Sequence, residues 1–235
     1  MKQACVFGAS GGIGAAFARQ LVASERFDRI WAGSRSGIAP AGTQGFHLDL
    51  MDEGSIAEAC QSMGALDLVI VATGLLQDEA ANIRPEKSFR ALDAAAMAQV
   101  YAVNTIGPAL IAKHSLPLLP KDRRGVFAAI SARVGSIGDN RLGGWHAYRA
   151  SKAALNMLIA NFAIELARTK PQALAVGLHP GTVDTGLSAP FKKGVPQAKL
   201  FTPDFSASAM LSVLDALTPS DSGKLFAWDG APIPF

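Results

Sequence analysis

With 235 residues, 49% of them hydrophobic and 17% charged, the chain has material for one large α/β domain with a sizeable core, and too much apolar content for disorder. Its net charge is +3, but the basic residues are scattered, with only the pairs Arg123-Arg124 and Lys192-Lys193; this argues against a nucleic-acid surface and suits an anionic cofactor as well. No uninterrupted apolar run approaches ~18 residues, and Met1-Lys2-Gln3 leads directly into an apolar stretch and a Gly-rich turn, so neither a membrane span nor secretion is expected.

Strand-like runs alternate with helical patterns along the chain. The first strand, at 4–7, enters Gly8-Ala9-Ser10-Gly11-Gly12-Ile13-Gly14 and a helix at 12–23. Strands are predicted at 29–32 and 45–48, a helix at 52–63, and a continuous apolar strand at 68–72. A helix at 94–118, a strand at 126–130, a helix at 147–168 and a strand at 173–178 follow, then a helix at 205–217 and a strand at 225–227. This alternation predicts a doubly wound parallel sheet of Rossmann type, with residues 1–235 as a single domain. Two connections are long, 75–92 and 186–203; the second, with Phe191 and Lys192-Lys193 among its glycines and prolines, is expected to be a substrate lid. Cys5 and Cys60 read as buried free thiols in a reducing, cytoplasmic compartment.

The chemistry-bearing motifs fall where such a sheet places ligands. A glycine-rich turn between the first strand and helix lets a pyrophosphate approach the backbone and the helix N-terminus, although such a turn can also be only a turn. Gly8, Ser10, Gly12, Ile13 and Gly14 are the candidates. The second strand ends in Ser34-Arg35-Ser36, with no carboxylate for a ribose 2′-hydroxyl and a guanidinium for a 2′-phosphate, so NADP(H) is expected over NAD; the alternative is an ordinary surface arginine. Tyr148-Arg149-Ala150-Ser151-Lys152 places a phenol and an amine four apart on one helix face. A nearby ammonium, aided by the positive charge of an oxidised nicotinamide, should lower the tyrosine pKa from ~10 and ready it for proton transfer. Asn104 stands mid-helix, where its side chain competes for backbone hydrogen bonds. His146 and His179 have no second ligand at suitable spacing, and no metal is assigned.

The G-x-x-x-G-I-G turn, Tyr148-Arg149-Ala150-Ser151-Lys152-Ala153-Ala154-Leu155, Asn104-Thr105-Ile106-Gly107 and Pro180-Gly181-Thr182-Val183-Asp184-Thr185 together resemble the short-chain dehydrogenase/reductase family over nearly the whole chain. Gly135-Ser136-Ile137-Gly138-Asp139-Asn140 followed by Gly143-Gly144-Trp145, and the ending Trp228-Asp229-Gly230-Ala231-Pro232-Ile233-Pro234-Phe235, resemble its C-factor and sniffer-type carbonyl reductase branch. The resemblance implies hydride exchange between NADP(H) and a small carbonyl or alcohol, with Tyr148 as the proton-transferring group and Lys152 also holding the nicotinamide ribose. It implies that Asn104 bends its helix and holds a relay water, that Asp49 and Leu50 receive the adenine, and that Gly74 flanks the cofactor. Pro180, Gly181, Val183 and Thr185 would hold the carboxamide end. Phe7 replaces the family's usual threonine, and Thr73 its usual asparagine. The second serine of the family's Ile-Ser-Ser is Ala132 here, so either Ser131, through a bulge, or Ser136, from the next loop, would have to serve. That loss motivates the alternative of a non-catalytic NADP(H)-binding regulator. No membrane or nucleic-acid partner is expected, and a homodimer or homotetramer is left open.

Overall fold

Alternate burial explains the architecture. Along β1 (Gln3–Phe7) and β5 (Gly125–Ile130), Cys5, Phe7, Phe127 and Ala129 enter one apolar cluster, whereas Ala4, Val6, Val126 and Ala128 enter another across the sheet. Both faces are therefore covered, as a parallel sheet requires. A computed structural model describes residues 1–189, 196 and 199–235. The remaining strands of the main sheet are β2 (Arg29–Ser34), β3 (Gln44–His47), β4 (Leu68–Val71), β6 (Ala173–His179), β9 (Leu225–Ala227) and β10 (Pro232–Ile233), in the order β10-β9-β6-β5-β4-β1-β2-β3. Every pairing is parallel except β9 with β10. The chain moves outward from β1 through β2 to β3 and then returns to β4 on the other side of β1, which opens a crevice at the C-terminal ends of β1 and β4.

Helices α1 (Gly12–Ala23) and α6 (Pro203–Ala216) cover one face through Phe17, Leu21, Met210 and Leu214. Helices α2 (Glu53–Gln61), α4 (Gly107–Ser115) and α5 (His146–Thr169) cover the other through Ile56, Ile111, Leu155 and Ile159. Cys5 and Cys60 are free thiols in this second layer, and burial pushes the Cys60 thiol up to about 11.

Three features depart from the sequence reading. The helix expected at 94–118 is interrupted: α3 (Ala94–Tyr101) meets α4 through a π turn at Ala102–Ile106, and a 3₁₀ turn ends the run. This run, Ala94–Leu118, satisfies the length and composition of a membrane span, with a mean hydropathy of 1.3, although no single apolar run in it does; in the fold, Ile111 and Ala112 are packed into the core. The antiparallel β10 and a separate pair, β7 (Thr182–Val183) with β8 (Leu200–Phe201), are too short to announce themselves by periodicity. Of the lid expected at 186–203, residues 190–195, 197 and 198 lie outside the described residues.

Phe127 is fully buried and meets Phe162 edge to face, with centroids 6.1 Å apart. Phe127→Ala should cost about 3–5 kcal/mol, seen as a lower urea midpoint with an unchanged slope.

Candidate active site

The crevice holds a cavity of about 950 Å³ whose wall brings together residues far apart in sequence: Ser10 and Gly12 from the first turn, Gly74 after β4, Tyr148 and Lys152 from α5, and Thr185 after β7. Gly8 adopts φ +93°, and a Cβ there would stand 3.0 Å from the Ala72 carbonyl. A Cβ on Gly14 would lie 2.2 Å from the Gly8 oxygen, and one on Gly12 2.8 Å from Thr185 Cγ2, so these positions are glycine for space. No side chain caps the N-terminus of α1 and no acid stands in its first turn, which leaves a positive dipole end facing the crevice. Ile13, partly buried, packs against the core beside this turn and also lines the cavity.

Hydrogen bonds from Gly8 and Ala9 N–H to the Gly33 carbonyl (3.0 and 2.8 Å) bring the end of β2 beside the turn. Arg35 is exposed there, with no hydrogen-bond or ion-pair partner among the described residues. Ser34 is buried and donates its hydroxyl to the Ile38 carbonyl (2.7 Å), so it holds the loop instead of offering its proton to a ligand. The Leu48 N–H bonds the Ser34 carbonyl and draws Asp49 alongside. Asp49 accepts from Met51 N–H (2.9 Å), while Asp52, not Asp49, caps α2. Leu50 packs at Gly107, whose Cβ would lie 3.2 Å from Leu50 Cδ2.

The π turn places Asn104 inside the protein with no exposed surface. Its amide accepts from Leu75 N–H (2.7 Å), donates to the Leu75 carbonyl (2.8 Å) and donates to Ser151 Oγ (3.1 Å). The loop after β4 is thus joined to α5 one residue before Lys152. Gly74 is held close by, since its Cβ would lie within 4 Å of both Asn104 Oδ1 and Lys152 Nζ.

A second join was invisible in the sequence. Gly143, Gly144 and Trp145 are all left-handed (φ +62°, +66° and +51°), a strained run ending in a non-glycine residue. Glu86, buried in the loop after β4, stabilises it: its carbonyl accepts from Trp145 N–H (2.6 Å) and its carboxylate from Ala147 N–H (3.3 and 3.2 Å). A carboxylate at a helix N-terminus is favoured by the dipole. Trp145 then meets Tyr148 edge to face, with centroids 6.3 Å apart.

Tyr148 is half-buried on the cavity wall and Lys152 is 2% exposed. Lys152 Nζ donates to the Ile130 carbonyl (2.8 Å) and lies over the Tyr148 ring, 5.9 Å from its centroid. Gly135 permits this depth, because a Cβ there would lie 2.7 Å from Lys152 Cβ. Burial pushes Tyr148 up to about 12 and Lys152 down to about 8. The expected lowering of the tyrosine is therefore reversed: the ammonium is directed to a backbone carbonyl, and loss of hydration disfavours the phenolate.

Neither replacement serine presents its hydroxyl proton to the cavity. Ser131 lines the wall, but its hydroxyl donates to Asn156 Oδ1 (2.7 Å) on α5. Ser136 is buried off the wall and accepts from Asp139 N–H (3.0 Å). At the far end, the Pro180 carbonyl accepts from Ser206 Oγ (2.8 Å), Gly181 is left-handed against Phe201, and Thr185 N–H donates to Ser188 Oγ (3.2 Å), whose hydroxyl donates to the Val183 carbonyl.

The family model for short chain dehydrogenases matches residues 2–195. C-signal of Myxococcus xanthus is 37% identical over 145 residues, covering 61% of this chain and 81% of that protein. The NADPH-bound carbonyl reductase from chicken fatty liver superposes with a TM-score of 0.83 at 28% identity, covering 99% of this chain and 98% of its own. The carbonyl reductase Sniffer of D. melanogaster shares the fold, with a TM-score of 0.83 at 19% identity over 100% and 98% of the two chains.

A lysine held near 8 when folded and near its ordinary 10.5 when unfolded opposes folding below pH 8, and the penalty is relieved as pH rises from 8 towards 10.5. Its full size is on the order of 3 kcal/mol. Lys152→Met should thus be more stable than the parent at pH 7, by somewhat less than this because the bond to Ile130 is lost. The difference should shrink between pH 8 and 10, and an unchanged difference by urea titration would refute the assignment.

Proposed function

This chain belongs to the short-chain dehydrogenase family, and we propose that it is an NADPH-dependent carbonyl reductase with Tyr148 as proton donor. The observation that carries the reading is geometric: Tyr148, with Lys152 one turn further along the helix, faces a cavity beside a Gly-rich turn, and burial pushes the phenol up to about 12, in the direction that suits a proton donor. The residues fit the dinucleotide. The glycine cradle and the N-terminus of α1 accept a pyrophosphate, Arg35 pairs with a 2′-phosphate, and Asp49 and Leu50 receive the adenine. When bound, NADPH supplies a hydride.

The chain's own groups handle the proton. Tyr148 passes its hydroxyl proton to the oxygen of the carbonyl as negative charge develops there. Lys152, positioned by Ile130 and Gly135, places a positive charge beneath the tyrosine that eases the brief phenolate, and it holds the ribose hydroxyls. Asn104 fixes the spacing between the loop after β4 and α5 while the charge moves. The same set runs in reverse for an alcohol, with Tyr148 taking the proton. Residues 186–203 are proposed as the substrate lid. The second reading, an NADP(H)-binding regulator, draws on Ala132; the assembled Tyr148, Lys152 and Asn104 weigh against it.

NADPH should bind more tightly than NADH, and Arg35→Ala should remove about 1.5–3 kcal/mol of NADPH affinity while leaving NADH nearly unchanged. Equal dissociation constants for the two cofactors in the parent would defeat this cofactor choice. Tyr148→Phe should slow NADPH oxidation by aldehydes, ketones or quinones roughly 10²–10⁴-fold with NADPH affinity retained. Parent-level turnover in that variant would overturn the mechanism.

A further inference from the structure

We propose that His179 is a catalytic residue whose Nε2–H donates a hydrogen bond to the carbonyl oxygen of the substrate. The inference rests on the carbonyl-reductase reading. Hydride addition turns a carbonyl oxygen into an alkoxide, and a fixed donor aimed at that oxygen, besides the one that transfers its proton, stabilises the transition state. Several side chains of the wall near Tyr148 are already engaged or lack a donor. Ala132 has no hydroxyl, Ser131 spends its proton on Asn156, Arg133 pairs with Asp139 (3.0 Å), and Lys152 donates to Ile130.

His179 is placed to supply one. It ends β6, beside β5, with Ile130 opposite Leu178 and Ser131 N–H bonded to the Leu178 carbonyl (2.8 Å). Leu178 packs against the α1 and α6 side, so the next side chain turns to the α5 side, where Lys152 reaches Ile130. His179 and Lys152 thus flank the same strand end, and both line the cavity.

The two imidazole nitrogens differ. Among the described residues, Nδ1 is buried without a hydrogen-bond partner, whereas Nε2 is accessible and makes no hydrogen bond. An unpaired N–H is costlier to bury than a bare nitrogen lone pair, so the neutral ring carries its proton on the accessible Nε2. The ring stays neutral: burial, helped by the Arg133 charge and opposed by Asp229, pushes it down to about 4. His179 therefore donates without giving up its proton, and Tyr148 remains the acid.

The test uses the full chain with NADPH and two probes, 4-nitrobenzaldehyde and 9,10-phenanthrenequinone. His179→Phe keeps a flat ring and removes the donor; His179→Gln keeps an N–H. Thermal unfolding and NADPH fluorescence titration accompany each rate. His179→Phe should lower kcat and kcat/KM roughly 10²-fold with NADPH affinity within threefold of the parent. His179→Gln should retain more activity than His179→Phe, and Ala132→Ser in the His179→Phe background should restore part of the loss by returning a hydroxyl to the strand end. Turnover of His179→Phe within threefold of the parent, or equal losses in His179→Gln and His179→Phe with no recovery from Ala132→Ser, would overturn the proposal. If His179→Phe fails to fold, the His179→Gln rate decides, and a loss matched by lost NADPH affinity counts against a substrate contact. Tyr148→Phe is the control. If neither probe is reduced by the parent, or Tyr148→Phe is as fast as the parent, the carbonyl-reductase reading itself fails. If Tyr148→Phe is slow while His179→Phe is fast, only the role of His179 fails.

Discussion

A single buried amide sets the spacing on which the rest of the site depends. Asn104 pairs with Leu75 as one strand pairs with another, giving and receiving a backbone hydrogen bond, and uses its remaining donor on Ser151. Removing that side chain would strand buried backbone groups of Leu75, a penalty of about 1–3 kcal/mol for each group left unpaired. The same removal would detach α5 from the loop after β4. Glu86 forms the second hinge pin between these two elements, one turn nearer the start of α5. Two points of attachment fix an orientation as well as a distance, and Tyr148 lies between them on the helix.

Burial also sets the protonation states of the site. It moves the phenol up and the amine down, so the pair at neutral pH approaches a neutral acid beside a weakly held cation. An ion pair buried at this depth would have to offset the loss of two hydration shells. The protein reduces that cost by keeping the phenol protonated and giving the ammonium one good acceptor, the Ile130 carbonyl. The fold thereby tolerates a lysine that works against its own stability, a common bargain where chemistry requires a charge inside.

What could be read from the chain alone was what is local. Continuous apolar runs marked β4 and β5, the glycine spacing marked the tight turn from β1 into α1, and the four-residue interval marked the shared helix face of Tyr148 and Lys152, since each depends only on near neighbours in sequence. What escaped depends on contacts between distant segments. The commitment of the Ser34 hydroxyl to Ile38 and of the Ser131 hydroxyl to Asn156, with the burial of Ser136 off the cavity wall, decides which hydroxyls remain available, and no periodicity reports it. Glu86 stands in the long 75–92 connection with no local motif around it, yet it anchors a helix through Ala147, 61 residues away. The direction of the Tyr148 shift was misjudged because adjacency to a lysine is visible in sequence and depth of burial is not. The π turn at Asn104 left the weak signal of an asparagine within a helix, where its side chain competes for backbone hydrogen bonds.

The two edges of the main sheet bear on how copies of this chain can meet. At one edge, β10 is two residues long and begins with Pro232, which has no N–H to offer an added strand. At the other, β3 spans only four residues. Neither edge presents a long, flat ladder of free backbone groups. Continuing the sheet from one copy into the next is therefore disfavoured at both ends, which leaves helix faces for any self-association and protects the unassembled chain against templated aggregation.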